Sequence, residues 1–189
     1  TVVNCDWSAG GPQSVQWKKW KGMQFDGVDD YISLWTWKNN TFDFNEWFTI
    51  FISMNVKKQD VSYIDVLNKL QSWRVEIGAK GQGWMWFVLI DNSSTTIYSN
   101  SSAKCWRKLN EWFSYAWSVQ AYSFIKGYYN WENTAKNGFN HDIPINSTYR
   151  IMIWKLHPNE LFNWVIDEIR IYNRVLSDDE IKALNDATN

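Results

Sequence analysis

The stretch WFSYAWSV, Trp112 to Val119, alternates large apolar and small residues without a break. Read as a strand, it places Phe113, Tyr115, Trp117 and Val119 on one face and Ser114, Ala116 and Ser118 on the other. One face is dry, and the opposite face lies under small side chains. Shorter apolar runs of the same kind recur on both sides of it. Those before it are Met23 to Phe25, Tyr31 to Leu34, Phe48 to Val56, Ser62 to Leu67, Trp73 to Ile77, Trp84 to Ile90 and Thr95 to Tyr98; those after it are Ser123 to Tyr129, Tyr149 to Trp154 and Val165 to Tyr172. About eleven short strands predict an all-β, two-sheet antiparallel β-sandwich or jelly roll. The one good helix signal closes the chain. Ser177 and Glu180 form a capping box, Asp178 and Asp179 suit the positive end of the dipole, and Ile181 and Leu184 give an apolar stripe, so a helix is predicted over 177–187.

No repeat or linker divides the 189 residues, so they read as a single domain with an N-terminal segment over 1–14. Nineteen Lys and Arg against 20 Asp and Glu leave a net charge of -1, which offers no footprint for nucleic acid or an anionic membrane. No apolar stretch approaches the roughly 20 residues of a membrane-spanning helix. The first residue, Thr1, reads as the start of a processed chain, with export the simplest cause. Cys5 and Cys105 fit one disulfide closing a long loop. Tryptophan is abnormal: 15 residues, against 9 glycines.

Four segments in order, MQFDGVDDYISL (Met23 to Leu34), FTIFISMNVK (Phe48 to Lys57), LNEWFSYAWSV (Leu109 to Val119) and VIDEIRIYNRVLSDDEIKAL (Val165 to Leu184), resemble the laminin-G-like members of the concanavalin A-like lectin/glucanase superfamily. The resemblance implies a β-sandwich whose opening and closing strands lie together. It also implies glycine at three places where this chain has Trp131, Trp154 and Trp164. Either the turns there avoid positive φ, or UGA codons that specify glycine in some bacterial codes stand behind these residues.

Glycanases of this superfamily carry acidic residues in alternation along one strand, and none is present here. Asp167 and Glu168 are adjacent and belong to opposite faces of a regular strand. Glu46, Glu76 and Glu111 are single carboxylates, and His141 and His157 sit in turn-like contexts. No enzyme is expected. GAKGQG (Gly78 to Gly83) reads as a hairpin turn rather than a phosphate loop.

Two binding chemistries are legible. Asp26, Asp29 and Asp30 crowd one turn, with Asp167 a contributor from the closing strand; hard oxygen donors so arranged suit Ca²⁺, although the same aspartates serve simply as turn formers. Trp35 with Trp37 and Trp84 with Trp86 are spaced by two, so each pair shares one strand face and forms an aromatic platform for pyranose rings or, for the second pair above all, part of the core. The sequons at Asn39, Asn92, Asn100 and Asn146 mark loops. The expectation is an extracellular or cell-surface binding module whose partner is a glycan. The rival is a structural subunit that packs against copies of itself or other surface proteins.

Overall fold

The computed structural model describes residues 4–7, 13–16, 21–26, 30–35, 46–57, 64–69, 74–80, 84–90, 96–100, 109–140, 151–153 and 163–188, several of them by their backbone ladder alone. Two seven-stranded sheets hold fourteen described strands. Sheet A runs β1 (Asn4–Trp7), β4 (Ile32–Trp35), β13 (Ile151–Ile153), β6 (Ile64–Lys69), β7 (Arg74–Lys80), β8 (Trp84–Ile90), β9 (Thr96–Asn100). Sheet B runs β12 (Glu132–Gly138), β11 (Phe124–Tyr129), β10 (Trp112–Gln120), β5 (Trp47–Val56), β14 (Trp164–Tyr172), β3 (Lys21–Gln24), β2 (Gln13–Gln16). Every described pairing is antiparallel. The predicted sandwich is the fold. Its opening strand β3 pairs with its closing strand β14, Met23 opposite Ile166.

Between the sheets lies the core predicted from alternation. Phe48, Ile50, Ile52, Met54 and Val56 from β5 and Phe113, Tyr115, Trp117 and Val119 from β10 meet Val66, Leu67, Ile77, Phe87 and Ile153 of sheet A, all buried. Phe87 stacks on Trp117 with ring centroids 5.1 Å apart.

The outer face of sheet B explains the small residues of β10. Helix α1 (Asp178–Thr188) lies over Phe51, Ala116 and Tyr128 and buries Ile181, with Leu176 closing the cluster ahead of it. Bulk at Ser114, Ala116 or Ser118 would hold the helix off the sheet. Instead Ser114 Oγ donates to Asn185 Oδ1 at 2.8 Å, and Thr49 Oγ1 accepts the Leu176 N–H at 3.0 Å. The capping box forms: the Ser177 N–H reaches Glu180 Oε2 at 2.9 Å, and the Glu180 N–H reaches Ser177 Oγ at 3.2 Å.

Three strands exceed the sequence expectation: β1, β2 and β12. The first two arise within or beside the segment read as an N-terminal extension. GAKGQG is shorter as a turn than expected, since Gly78 to Lys80 belong to β7.

Candidate functional site

The β7–β8 ladder fixes where the second tryptophan pair lies. Ile77 pairs with Phe87, both buried in the core, and no register shift interrupts the ladder, so Gly78 with Trp86, Lys80 with Trp84 and Glu76 with Val88 occupy the opposite, outer face of sheet A. Trp84 and Trp86 therefore hold positions on the outer face of sheet A, opposite the face that carries Ile77 and Phe87. The sequence alone does not say which face is which, because β8 is apolar on both. Across β7 the next outer-face neighbour of Trp86 is Asp65, which pairs with Gly78. Trp35 is also on the outer face: Ile32 pairs with the buried Ile153, and Trp35 lies three positions on. Three strands separate β4 from β8, so Trp35 is not part of the same platform. Trp37 lies outside the described residues.

A second set of exposed aromatics lies on sheet B. Trp47, opposite Gln120, is 49% exposed, and Tyr122, in the β10–β11 turn, is 67% exposed. The Ala121 N–H donates to the Glu46 carbonyl, which holds that turn beside the start of β5. Tyr122 has φ 54°, a left-handed conformation that disfavours a bulky side chain. At the other end of the sheet, Asn130 and Trp131 form a two-residue loop between Tyr129 and Glu132, with φ 46° and 69°. Both positive angles make a type I′ turn, whose second position favours glycine. Trp131 is 42% exposed, and Lys182 Nζ lies 5.3 Å from its ring centroid. Asn130 secures the turn, its Oδ1 accepting the Ser114 N–H at 2.9 Å. A single aromatic at a strand end or in a turn carries no sequence signal, so neither Trp47 nor Tyr122 stands out before the fold is known. Of the three tryptophans at expected glycine sites, Trp131 takes the glycine conformation, Trp164 is buried at ordinary φ against Phe113, and Trp154 lies outside the described residues.

The aspartates separate. Asp30 is buried, and its Oδ2 accepts the Asp26 N–H at 2.8 Å, which locks the turn. Asp29 lies outside the described residues. Asp26 sits beside Asn163, whose Nδ2 donates to its carbonyl, whereas Asp167 is four residues further along the chain, about 13 Å at the usual strand rise. Asp167 is thus not a partner of that turn. It occupies a bulge that the β14–β5 ladder skips, and burial, with Glu168 adjacent, holds its carboxyl above the ordinary range. Among the described residues no three His, Cys, Asp or Glu side chains gather as a metal cage. Glu168 is ion-paired with Arg170. His141 and His157 lie outside the described residues, as does Cys105. Cys5 is on β1, and the expected bond to Cys105 falls outside the described residues with it.

No family model and no curated protein matches the sequence. Solved structures do match. The binding domain of Paraclostridial Mosquitocidal Protein 1 aligns with a TM-score of 0.80 at 17% identity, over 98% of this chain and 48% of that one. The binding domain of botulinum neurotoxin DC in complex with rat synaptotagmin II aligns at 0.76 and 15%, over 99% and 47%. A structure of botulinum neurotoxin type C, whose cell entry depends on interaction with two ganglioside molecules, aligns at 0.76 and 16%, over 99% and 47%. The likeness is one of fold. The chain spans about half the length of these solved chains. The sandwich read through the laminin-G resemblance is therefore present, without a family model to attach it to that family.

Proposed function

We propose that this domain is a non-enzymatic binding module, acting outside the cell, that attaches to a cell-surface glycan through the outer face of sheet A. The observation that carries the reading is the β7–β8 register, which puts Trp84 and Trp86 together on the face opposite the core. Flat aromatic faces stack on the apolar faces of pyranose rings, and the neighbouring Lys80 and Asp65 positions supply a donor and an acceptor for hydroxyls. The solved neighbours support a binding role for a sandwich of this shape, since one is in complex with rat synaptotagmin II and the cell entry of another depends on interaction with two ganglioside molecules. No described helix is long and apolar enough to cross a membrane. A glycan array probed with the wild type and with Trp84→Ala/Trp86→Ala tests the proposal. Retention of at least one glycan by the wild type and its loss in the double variant is expected; equal binding by both proteins refutes the site.

A specific observation favours a second reading, the structural subunit. Trp47, Tyr122 and Trp131 are exposed at the two ends of sheet B, and Tyr122 keeps a strained backbone there. Packing against copies of the same chain would cover them. Light scattering of the wild type and Tyr122→Ser reads this directly: an assembly that Tyr122→Ser dissolves supports the subunit, and a monomer at every concentration dismisses it.

A further inference from the structure

We propose that Asn137 is a modification site, converted to isoaspartate and aspartate through attack on its own side chain by the Gly138 backbone nitrogen. Asn137 and Gly138 make the one Asn-Gly pair in the sequence. Glycine has no side chain to shield its nitrogen, and its free backbone reaches the ring-closing geometry readily. Both residues are exposed, at the last two positions of β12. A Cβ added at Gly138 would meet nothing within 4 Å, so the space beside the nitrogen is open.

The register decides which way that nitrogen points. β12 is an edge of sheet B and runs antiparallel to β11, with Asn137 opposite Ile125 and Gly138 opposite Phe124. The Phe139 N–H donates to the Ser123 carbonyl and so faces β11. Successive N–H groups of a strand point to opposite sides, and that of Gly138 therefore faces the open edge rather than the ladder. Opening the end of an exposed edge strand costs far less than unfolding the domain, so ring closure needs only local motion.

In the reaction the Gly138 nitrogen gives its proton to solvent base and bonds to Asn137 Cγ. The Cγ–Nδ2 bond breaks, and ammonia leaves with a proton taken from water. Water then opens the five-membered imide. Attack at Cγ restores the ordinary backbone with an aspartate side chain; attack at the main-chain carbonyl leaves the chain running through Cγ as isoaspartate. Asparagine and water thus become an acid and ammonia, with no oxidation or reduction. Either product takes the formal net charge from -1 to -2. Isoaspartate also inserts one carbon into the main chain ahead of Phe139, which is buried and whose N–H bonds to Ser123.

Incubation of the whole domain in mildly alkaline buffer, beside a synthetic peptide of residues 132–140, tests the proposal by isoelectric focusing and peptide mass spectrometry. The expected product is more acidic by one charge, modified at Asn137 before any other asparagine, with isoaspartate exceeding aspartate and a rate that rises with pH. Gly138→Ala is expected to slow the conversion at least about tenfold, a barrier higher by about 1.4 kcal/mol, and circular dichroism checks that the variant folds. Asn137 intact in the domain after the peptide has fully converted overturns the proposal. So does earlier modification of another asparagine, or conversion of Gly138→Ala as fast as the wild type.

Discussion

The indole of Trp117 lies flat against the backbone of Gly127 on the neighbouring strand, so close that a Cβ at position 127 would come within 2.6 Å of Cη2 and Cζ3. Trp117 is fully buried and stacked on Phe87, with no room to retreat. Gly127→Ala is expected to cost about 1–3 kcal/mol through overpacking. Gly138→Ala, where the added carbon meets nothing within 4 Å, is the control and should be neutral or slightly stabilising. Urea unfolding of both variants measures the contrast.

Trp131 sits where a type I′ turn favours glycine, at φ 69°. Trp131→Gly is expected to raise stability by about 1 kcal/mol, because left-handed backbone costs a side-chain-bearing residue roughly 1–2 kcal/mol and the exposed contact with Lys182 offsets only part of it. Scanning calorimetry should show Tm higher by about 2–4 °C. A lower Tm would mean that packing of the indole outweighs the backbone strain. Peptide mass spectrometry of the protein from its native source then decides whether tryptophan or glycine is inserted there.

Acid should loosen the helix before the sandwich. Arg174 and the Ser177 N–H hold the Glu180 carboxyl down to about 2, against 4.5 ordinarily, and the Tyr128 hydroxyl with Lys126 holds Asp178 below the usual range. A carboxylate whose folded pKa is depressed contributes stability above its unfolded pKa and loses it as pH falls through the folded one. The loss for Glu180 therefore spans about pH 4.5 down to about 2. Far-ultraviolet circular dichroism against pH should show helical signal falling in that window, and Glu180→Gln should flatten the dependence.

The turn locked by Asp30 yields a separate test. Removing its carboxylate leaves the Asp26 N–H without that acceptor, and Asp30→Ala is expected to destabilise by about 1–3 kcal/mol. Calorimetry of the wild type in saturating calcium and in chelator distinguishes the two uses of the aspartates. An equal Tm leaves them as turn formers, and a rise in calcium assigns the ion to this turn, since a ligand of the native state alone must stabilise it.

All eleven strands expected from apolar runs are present, and the three that were not legible share a position: β1, β2 and β12 are edge strands. An edge strand has one free side and can be held by backbone bonds alone, so ENTAKNG in β12 is almost wholly exposed and shows no alternation to read. The terminal helix was legible because its cap and stripe are local. The candidate site was legible only as a pair: spacing by two made Trp84 and Trp86 share a face, but which face required the partner strand and the buried Phe87. Asp167 illustrates the same limit. A bulge is a relation between two strands, and nothing in VIDEIRIY alone announces it.

The place of β14 between β5 and β3 has a consequence for biosynthesis. As the chain leaves the ribosome, β5 can pair with β10 as soon as that strand appears, yet its other edge stays open until β14 emerges, and β2–β3 wait for the same strand. Long-range pairing of this kind delays folding and exposes apolar edges meanwhile. The nascent chain therefore carries FTIFISMNV as an uncovered sticky edge until β14 has been made, and a ribosome stalled before residue 164 should display a protease-sensitive, chaperone-binding chain rather than a half-built domain.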